Sequence, residues 1–586
     1  MDDFGAIAAL VRQNEVGRRA AIRTPFGRRL VTYADLTATG RFLHFVEAWF
    51  RHVLPFYANT HTAISSTGRM MSELREEARR VIARAVHAGP DHVVVFVGSG
   101  ATAAVNKLVG LLGIRIPEPL EREWSLARHV PAERRPAVLV GPYEHHSNEL
   151  PWLETIADVV EVPLDACGRV DVAVLEAQLE RFRSRPLRLG AFSAASNVTG
   201  VLTDVRTIAR VLHLGGAYAC FDYAAAAPYV PIDMNPGPQD ERIDALFVST
   251  HKFVGGPGGS GILVAHKDLF RSRVPERPGG GTVDYVSAFD KLSVDYVRRL
   301  DEREEGGTPN ILGDLRAGAA FLVKELLGPE RILEHDVRLA QRAVRRLSQH
   351  PRIRLYGPTV GCDRLPLLSF NVERLHHDFV AVLLDHLFGI QNRPGCSCAG
   401  PYGHRLLGIE RPLSERYRAR IACGLGGLKP GWVRLSLPYY ASEDDVEFIL
   451  SAVEFVAERG DDFLPLYRFG WRDAVWTHAE HPQTDVAPIE LSLEALREAA
   501  TCATGDHEAP ISEAHVKAER ERYFAEALRT ADELRAKRGS ATPAANVPTG
   551  DPEIDPLVWF RYVLTDDAWR TTPPAREGSS CTDCRG

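Results

Sequence analysis

The chain has 586 residues, of which 45% are hydrophobic and 25% are charged, and its formal net charge at pH 7 is -7. This composition is that of an ordinary globular protein, and the negative charge gives no electrostatic reason to expect a nucleic acid or an anionic membrane as partner. The first residues, MDDFGAIAALVRQNEVGRRA, lack the basic segment and apolar run of a signal peptide, and no apolar run of 18 residues occurs. We therefore expect a cytoplasmic protein that acts on a small molecule.

Short apolar runs alternate with helical segments between residues 70 and 330, beginning with the amphipathic stretch MMSELREEARRVIARAV. The runs predicted to be strands are 92–97, 137–140, 187–195, 217–222, 245–250 and 261–266. Such alternation is typical of a mostly parallel sheet with helices on both faces. We therefore predict the α/β fold class for this part of the chain.

The pattern changes after residue 315. Two helices, the strand LPLLSFNV, a helix at 378–388, a long loop, the strand VRLSL and a last helix opened by Ser442, with Asp445 at the capping-box position, indicate a smaller α+β domain. We predict an N-terminal segment (1–45), a large domain (46–315), a small domain (316–460) and an extension of unknown role (461–586). The extension holds Trp-rich loops, a charged helix near 511–538 and a flexible tail ending SSCTDCRG.

Polar residues follow five of the predicted strands at their carboxyl ends, where sheets of this kind bind ligands. The turn GSGATAAVN could offer backbone and hydroxyl donors to a phosphate at a helix start, and GPYEHHSNELPW brings two histidines. Further along the chain come Asn197, Asp222 and Lys252, the last on a glycine-rich loop. Taken singly, each residue has an ordinary structural explanation: Asn197 as a turn residue, Asp222 as a helix cap and Lys252 as a surface lysine. Because all five lie at one edge of one predicted sheet, a single ligand explains them together.

The chemistry of these residues restricts that ligand. A phosphate requires the glycine turn and nearby hydroxyls, a flat aromatic ring requires a stacking imidazole, a protonated ring nitrogen requires a carboxylate, and an aldehyde requires an amine. Pyridoxal 5'-phosphate (PLP) has all four requirements.

The stretches SGAT, EHHSN, SNVTG, FDYA and STHK resemble, in order and spacing, the signatures of fold-type I PLP enzymes. The match is to the class V aminotransferase superfamily, in its cysteine desulfurase and selenocysteine lyase branch. It covers about residues 30–460 and implies an aspartate aminotransferase-like fold. The resemblance implies that Lys252 binds PLP covalently, that His145 stacks on the ring, that Asn197 contacts the ring substituents and that Asp222 pairs with the ring nitrogen. The other implied cofactor-binding residues are Gly100, Ala101, Thr102, Ser249, His251, Gly307 and Thr308.

Gly307 and Thr308 lie in EGGTP, which resembles the motif that completes the phosphate site of the neighbouring subunit, so a homodimer is implied. The stretch RPGCSCAGP resembles the loop that carries the persulfide-forming cysteine, with Cys398 at the matching position. The strand GWVRLSLPYY resembles the one whose arginine binds the substrate carboxylate, here Arg434, and Arg393 and Asn197 are further substrate-binding candidates. The implied activity is a cysteine desulfurase, which takes sulfur from L-cysteine as a Cys398 persulfide and releases alanine. The sulfur then passes to an acceptor, with a sulfur-acceptor protein as a candidate partner.

The sequence departs from the family pattern at several points. Ala225 stands where the family usually has a glutamine that bonds the ring oxygen, a role for which Tyr223 is a candidate substitute. Cys396 stands where a histidine is common, and the segment between Cys398 and Arg434 is longer than usual. These differences leave other class V PLP reactions open, namely C–S β-elimination, transamination and epimerisation.

A non-catalytic sulfur-relay or scaffold protein is an alternative from another class, although a decayed site would be expected to lose some of its catalytic residues. The tail residues Cys581 and Cys584 have the spacing of half a zinc site or of a redox pair. Without a second pair nearby, we interpret them as a terminal dithiol and predict no metal site.

Overall fold

The computed structural model describes residues 4–62, 64–290, 293–359, 361–481, 492, 512–539 and 548–566. The α-helices are α1 (Phe4–Gln13), α2 (His44–Val53), α3 (Ser66–Ala85), α4 (Gly100–Leu112), α5 (Glu118–Trp124), α6 (Leu150–Leu153), α7 (Val172–Arg181), α8 (Val205–Leu214), α9 (Leu300–Glu304), α10 (Ile311–Leu327), α11 (Pro329–Ser348), α12 (His377–Phe388), α13 (Gly400–Leu407), α14 (Arg411–Ala422), α15 (Glu443–Arg459) and α16 (Glu513–Arg538).

The strands are β1 (Ala21–Thr24), β2 (Gly27–Leu30), β3 (Thr32–Tyr33), β4 (His92–Val97), β5 (Ala137–Val140), β6 (Asp158–Glu161), β7 (Arg188–Ser193), β8 (Tyr218–Asp222), β9 (Ala245–Ser249), β10 (Gly261–His266), β11 (Val283–Val286), β12 (Val294–Tyr296), β13 (Ile353–Leu355), β14 (Leu367–Val372), β15 (Ile390–Gln391), β16 (Arg393–Gly395), β17 (Trp432–Ser436), β18 (Tyr467–Phe469), β19 (Trp476–His478) and β20 (Leu564–Thr565).

A seven-stranded sheet in the order β4-β10-β9-β8-β7-β5-β6 forms the centre of the large domain. Strands β5 to β9 are parallel to their neighbours within that group, and β10 runs antiparallel to β9 and β4. Val94 and Phe96 belong to one hydrophobic core and Val95 to another, so side chains alternate between two covered faces. The predicted α/β fold is confirmed. Strand β6 was not predicted, because it lies at the sheet edge with only half-buried residues.

The small domain contains a four-stranded antiparallel sheet in the order β13-β14-β17-β16. The capping box of Ser442 and Asp445 at the start of α15 is confirmed, with both reciprocal hydrogen bonds present. The long loop predicted before the strand VRLSL was wrong, because that region contains β16, α13 and α14. Helix α14 has no buried residue, so its sequence carries no strong apolar periodicity that would have predicted it.

The N-terminal segment crosses between the two domains. Helix α1 contacts α10, and the buried apolar residues of both helices belong to the core of the large sheet, whereas β3 pairs in parallel with β15 of the small domain. The fully buried Arg29 donates from Nε to the carbonyl of Leu387 over 2.7 Å. Residues after β3 are thereby carried into the space between the two domains.

The described part of the extension packs on the small domain. Strands β19, β18 and β20 form a small sheet, and α16 contacts α12 and α15. Trp471, Phe469 and Phe560 are buried in the same hydrophobic core as Phe379 of α12. The extension therefore completes the core of the small domain. The tail with Cys581 and Cys584 lies outside the described residues.

Among the residues that the structure describes, no helix combines the length and the apolar character that a membrane crossing requires.

We expect Trp471→Ala to lower the free energy of unfolding by about 3–5 kcal/mol, since the indole is fully buried with its ring centroid 5.2 Å from that of Phe469. The matched control is Trp124→Ala, because Trp124 is 56% exposed and its loss should change the free energy by less than about 0.5 kcal/mol. Urea unfolding followed by far-UV circular dichroism measures both. Equal transitions for the two variants would show that the extension does not stabilise the small domain.

Candidate functional site

A cleft of about 510 Å³ lies between the carboxyl edge of the large sheet and the small domain. Most residues singled out from the sequence line it: Ala101, Thr102, His145, Asn197, Asp222, Ser249, His251, Lys252, Arg393, Cys396, Cys398 and Arg434. Gly100 directly precedes this group at the start of α4. Gly307 and Thr308 do not line the cleft of their own chain.

The start of α4 forms a cradle for an anion. Gly100 has a φ of +57°, and a Cβ at this position would lie 2.6 Å from the Ser249 hydroxyl oxygen, so glycine is required. The amide of Ala101 donates to that hydroxyl over 2.9 Å. The hydroxyls of Thr102 and Ser147 lie 2.7 Å apart at the cleft wall. These donors stand at the positive end of a 13-residue helix, where a phosphate is stabilised.

Lys252 ends a short 3₁₀ turn that directly follows β9. Burial lowers the pKa of its amine to about 8, although the carboxylate of Asp222 acts in the opposite direction. The glycine-rich loop after Lys252 folds back on this turn, since a Cβ at Gly256 would lie 2.1 Å from the carbonyl oxygen of Thr250. The glycines therefore allow the close packing that holds the lysine turn against the sheet.

His145 follows strand β5, and Asp222 is the last residue of β8. His145 accepts a hydrogen bond at Nδ1 from the Ser147 amide over 3.1 Å, which places the proton of the neutral imidazole on Nε2. Burial, followed by the charge of Lys252, lowers the pKa of His145 to about 4, so the ring is uncharged at pH 7. Asp222 accepts a hydrogen bond from the Ala224 amide over 2.8 Å, and burial raises the pKa of its carboxyl group.

His251 lies beside the lysine and is also uncharged at pH 7. Its Nδ1 is 3.2 Å from the Thr39 hydroxyl of the N-terminal segment. Burial, followed by the charge of Lys252, lowers the pKa of His251 to about 4. Sequence reasoning did not identify Thr39.

Glu144, adjacent to His145, is a buried residue to which sequence reasoning gave no role. It accepts hydrogen bonds from the amide and hydroxyl of Ser193, over 2.8 and 2.6 Å, and from Asn148 over 2.6 Å. Burial raises the pKa of its carboxyl group to about 8. These bonds hold the end of β5 against the end of β7. The sequence signal that could have pointed to Glu144 is its place in the EHHSN stretch, directly before His145.

Arg434 lies in β17 and is 3% exposed. Its guanidinium donates to the carbonyl of Asn197 over 3.0 Å and to the carboxylate of Asp35 over 3.1 Å. Arg393 donates to the other oxygen of Asp35 over 3.0 Å. Burial lowers the pKa of Arg434, and its Nε has no hydrogen-bond partner among the described residues. Sequence reasoning missed Asp35, which stands 399 positions from Arg434.

The cysteine loop has an unusual backbone. Ser397 and Cys398 have φ values of +52° and +55°, in the left-handed region that residues other than glycine rarely occupy. The carbonyl of Cys398 accepts a hydrogen bond from the His146 amide over 2.9 Å, which joins this loop to the large domain. Cys398 is exposed, whereas Cys396 is half-buried and packs against the large-domain core.

Lys429 is exposed at the edge of the cleft and was also missed. It follows the short turn Gly426–Leu428, where the amide of Gly427 donates to the carbonyl of Trp471 over 2.9 Å. A Cβ at Gly426 would lie 2.4 Å from the carbonyl oxygen of Arg472. The extension therefore packs directly on the turn that carries Lys429.

Ala225 lines the cleft and offers no polar side-chain atom, whereas the buried Tyr223 is not among the lining residues. Thr37 of the N-terminal segment does line the cleft, with its hydroxyl 2.7 Å from that of Ser436.

The residues of the cleft fit PLP. The donor cradle at Gly100 suits a phosphate, the buried carboxyl of Asp222 suits a ring nitrogen and the amine of Lys252 suits an aldehyde. Asn197 donates from Nδ2 to the carbonyl of Ser397 over 2.7 Å, and its Oδ1 is buried without a partner within the described ranges. A buried amide oxygen of this kind requires a hydrogen-bond donor, which a ligand can supply.

Comparison with known proteins identifies the relatives of the chain. Residues 32–449 match the family model described as Aminotransferase class-V. The chain is 30% identical over 377 residues to a probable cysteine desulfurase of Halalkalibacterium halodurans, covering 63% of this chain and 84% of that protein. It is 28% identical over 433 residues to a cysteine desulfurase of Pectobacterium atrosepticum, covering 72% of this chain and 92% of that protein.

Solved structures that resemble this chain also include cysteine desulfurases. The apo structure of a cysteine desulfurase from Thermococcus onnurineus NA1 matches with a TM-score of 0.58 and 27% identity, covering 73% of this chain and 95% of that one. A cysteine desulfurase structure from Escherichia coli matches with a TM-score of 0.57 and 25% identity, covering 73% and 94%. The chain belongs to the class V aminotransferase family of PLP-dependent enzymes, in the branch of the cysteine desulfurases.

Proposed function

We propose that this protein is a PLP-dependent cysteine desulfurase that converts L-cysteine to alanine and holds the sulfur as a persulfide on Cys398. The observation that carries the proposal is the exposed Cys398 thiol on a left-handed loop that lines the same cleft as Lys252 and Arg434. The names of the relatives support the same reaction. A scaffold without activity would have no need of a half-buried amine, a buried carboxyl group and a buried guanidinium around one cleft.

In this proposal Lys252 binds PLP covalently. The start of α4, Ser249 and His251 hold the phosphate, and His145 and Asn197 contact the ring. Asp222 pairs with the ring nitrogen. PLP, when bound, supplies an electron sink that stabilises negative charge at the substrate Cα.

The remaining chemistry belongs to the side chains. Arg434 binds the substrate carboxylate, and Lys252, with a lowered pKa, accepts the Cα proton. The Cys398 thiolate attacks the substrate sulfur, so a sulfur–sulfur bond forms as the carbon–sulfur bond breaks. The electron pair of the broken bond returns to carbon, which is protonated to give alanine.

We expect PLP to bind the apoenzyme with a rate that rises with pH and levels off above a midpoint at about 8, the lowered pKa of Lys252. The neutral amine is the reacting form, and an ordinary lysine, with a pKa of about 10.4, would keep gaining rate up to pH 10. Stopped-flow absorbance of the bound cofactor measures the rate. Lys252→Ala is the control and should form no adduct that borohydride fixes. A midpoint near 10, or a fixed adduct on another lysine, would contradict the assignment.

Cys398→Ser should bind PLP and L-cysteine normally but lose persulfide formation by at least about 100-fold, because a hydroxyl is a far weaker nucleophile than a thiolate. The matched control is Cys396→Ser, which should keep most activity since its thiol packs against the core. Alanine, pyruvate and protein-bound persulfide are assayed separately. Unchanged alanine and persulfide from Cys398→Ser would refute the mechanism, and unchanged pyruvate would indicate β-elimination, for which Lys252 suffices.

We also propose a homodimer with shared active sites. Thr308 is exposed outside the cleft, 3.5 Å from the Nδ2 of Asn59, and His61 Nε2 lies 3.2 Å from the carbonyl of Gly307. The chain around Asn59 and His61 exposes several large apolar side chains, as a subunit interface would: Trp49, Phe56, Tyr57 and Ile64.

Mixing Lys252→Ala subunits with Thr308→Ala subunits should restore activity. In a heterodimer with shared sites, one of the two sites carries neither substitution and the other carries both. Alanine production after subunit exchange tests this, with each single homodimer as the control. A fully active monomer in sedimentation, or no gain after verified exchange, would contradict shared sites.

A further inference from the structure

The segment between Cys398 and β17 is a basic insertion in an acidic protein. Residues 399–431 contain six Lys and Arg but only two Asp and Glu, whereas the whole chain has a net charge of -7. This segment forms α13 and α14, and α14 has no buried residue. The charged residues of α14 are therefore largely exposed to solvent, in the segment that directly follows the exposed Cys398.

Helix α14 is held in place from its inner side. Leu413 and Tyr417 pack against the small-domain core, and the Tyr417 hydroxyl donates to the carbonyl of Leu557 over 3.5 Å. Arg420 forms an ion pair with Glu553 over 3.3 Å. Leu557 and Glu553 belong to the extension, which lies beyond the residues matched by the family model. The extension thus fixes the orientation of α14.

Three basic residues of this insertion are left without an ion-pair partner among the described residues: Arg416, Arg418 and Lys429. All three are exposed. Lys429 lines the cleft together with Cys398, and α14 packs on the turn that precedes Lys429. We call these three residues the basic lip. Clustered charge of one sign at a cleft attracts partners of opposite charge and speeds their association.

We infer that the basic lip docks an acidic, thiol-bearing acceptor protein, which takes the sulfur from Cys398. This inference rests on the proposed desulfurase function and adds the chemical character of the acceptor. A small substrate binds inside the cleft and does not need α14. A protein thiol that reaches Cys398 approaches past the lip, because α13 begins two residues after this cysteine and Lys429 stands at the same edge.

The transfer step is balanced without an added oxidant or reductant. The acceptor thiolate attacks the outer sulfur of the Cys398 persulfide and forms a new sulfur–sulfur bond. The bond between the outer sulfur and the cysteine sulfur breaks, and Cys398 leaves as a thiolate.

The test uses holoenzyme loaded with L-cysteine and two synthetic peptides, each with one cysteine, flanked by glutamates in one and by lysines in the other. Persulfide on the peptide is measured by mass spectrometry over time. The acidic peptide should react about tenfold faster at low salt, and the difference should disappear near 1 M salt, where charges are screened within about 3 Å.

The variant is Arg416→Glu with Arg418→Glu, which should remove the preference for the acidic peptide while alanine release with L-cysteine and dithiothreitol stays unchanged. Lys429 is kept because it lines the cleft. The matched control is Arg181→Glu with Arg183→Glu, which makes the same charge change at exposed arginines of the large domain. Unchanged alanine release in both variants shows that they are folded.

Equal rates for the two peptides, or a preference that survives the Arg416 and Arg418 substitutions, would overturn the inference. Binding of a labelled acidic peptide without cysteine is followed separately by fluorescence anisotropy. If this peptide binds wild type more tightly than the variant but no persulfide forms, the desulfurase function fails and the docking surface stands. Tighter binding of a single-stranded oligonucleotide than of the acidic peptide would assign the lip to nucleic acid and overturn it as an acceptor site.

Discussion

The partial burial of the Lys252 amine, in the turn that follows β9, is the constraint on which the rest of the site depends. An ammonium group removed from water loses hydration, so burial favours the neutral, nucleophilic form and lowers the pKa of Lys252 to about 8. That burial requires walls on several sides. The large sheet supplies Asp222 and His145, the small domain supplies Arg434, and the glycine-rich loop packs against the turn that holds the lysine.

The same need for enclosure explains the path of the N-terminal segment. Arg434 is buried with a positive charge, which is costly unless an anion stands beside it. Asp35 supplies that anion and also holds Arg393, so one carboxylate orients both candidate substrate-binding arginines. Pairing of β3 with β15 fixes Asp35 in place, because it attaches the preceding residues to the small domain. A segment that looks peripheral in the sequence thus sets the charge balance of the cleft.

The extension supports the part of the cleft that carries Lys429. Its aromatic residues complete the core of the small domain, and its backbone supports the turn before Lys429 and helix α14. The mouth of the cleft is therefore shaped by residues outside the family match. The proposed catalytic residues line the cleft itself, whereas the extension supports the surface around it.

The sequence by itself determined six of the seven strands of the large sheet, all except β6. It also determined which residues stand at the carboxyl ends of these strands. Each strand is a local run of apolar residues, and parallel strands bring their carboxyl ends to one edge, so Asn197, Asp222 and Lys252 could be placed together without a structure. The family resemblance added the proposed roles of these residues and the proposal that Cys398 is the nucleophile.

Only the tertiary structure decided which distant residues complete the site. Two contacts leave no periodic signal in the sequence because each joins segments far apart in the chain: Asp35 with Arg434, and Trp471 with the turn before Lys429. Helix α14 leaves no such signal because it has no buried residue. The left-handed backbone at Ser397 and Cys398 likewise follows from contacts with His146 and Asn197 and not from local preference, which disfavours it. Local patterns reveal elements and their ends, whereas the enclosure of a buried charge is decided by packing between elements.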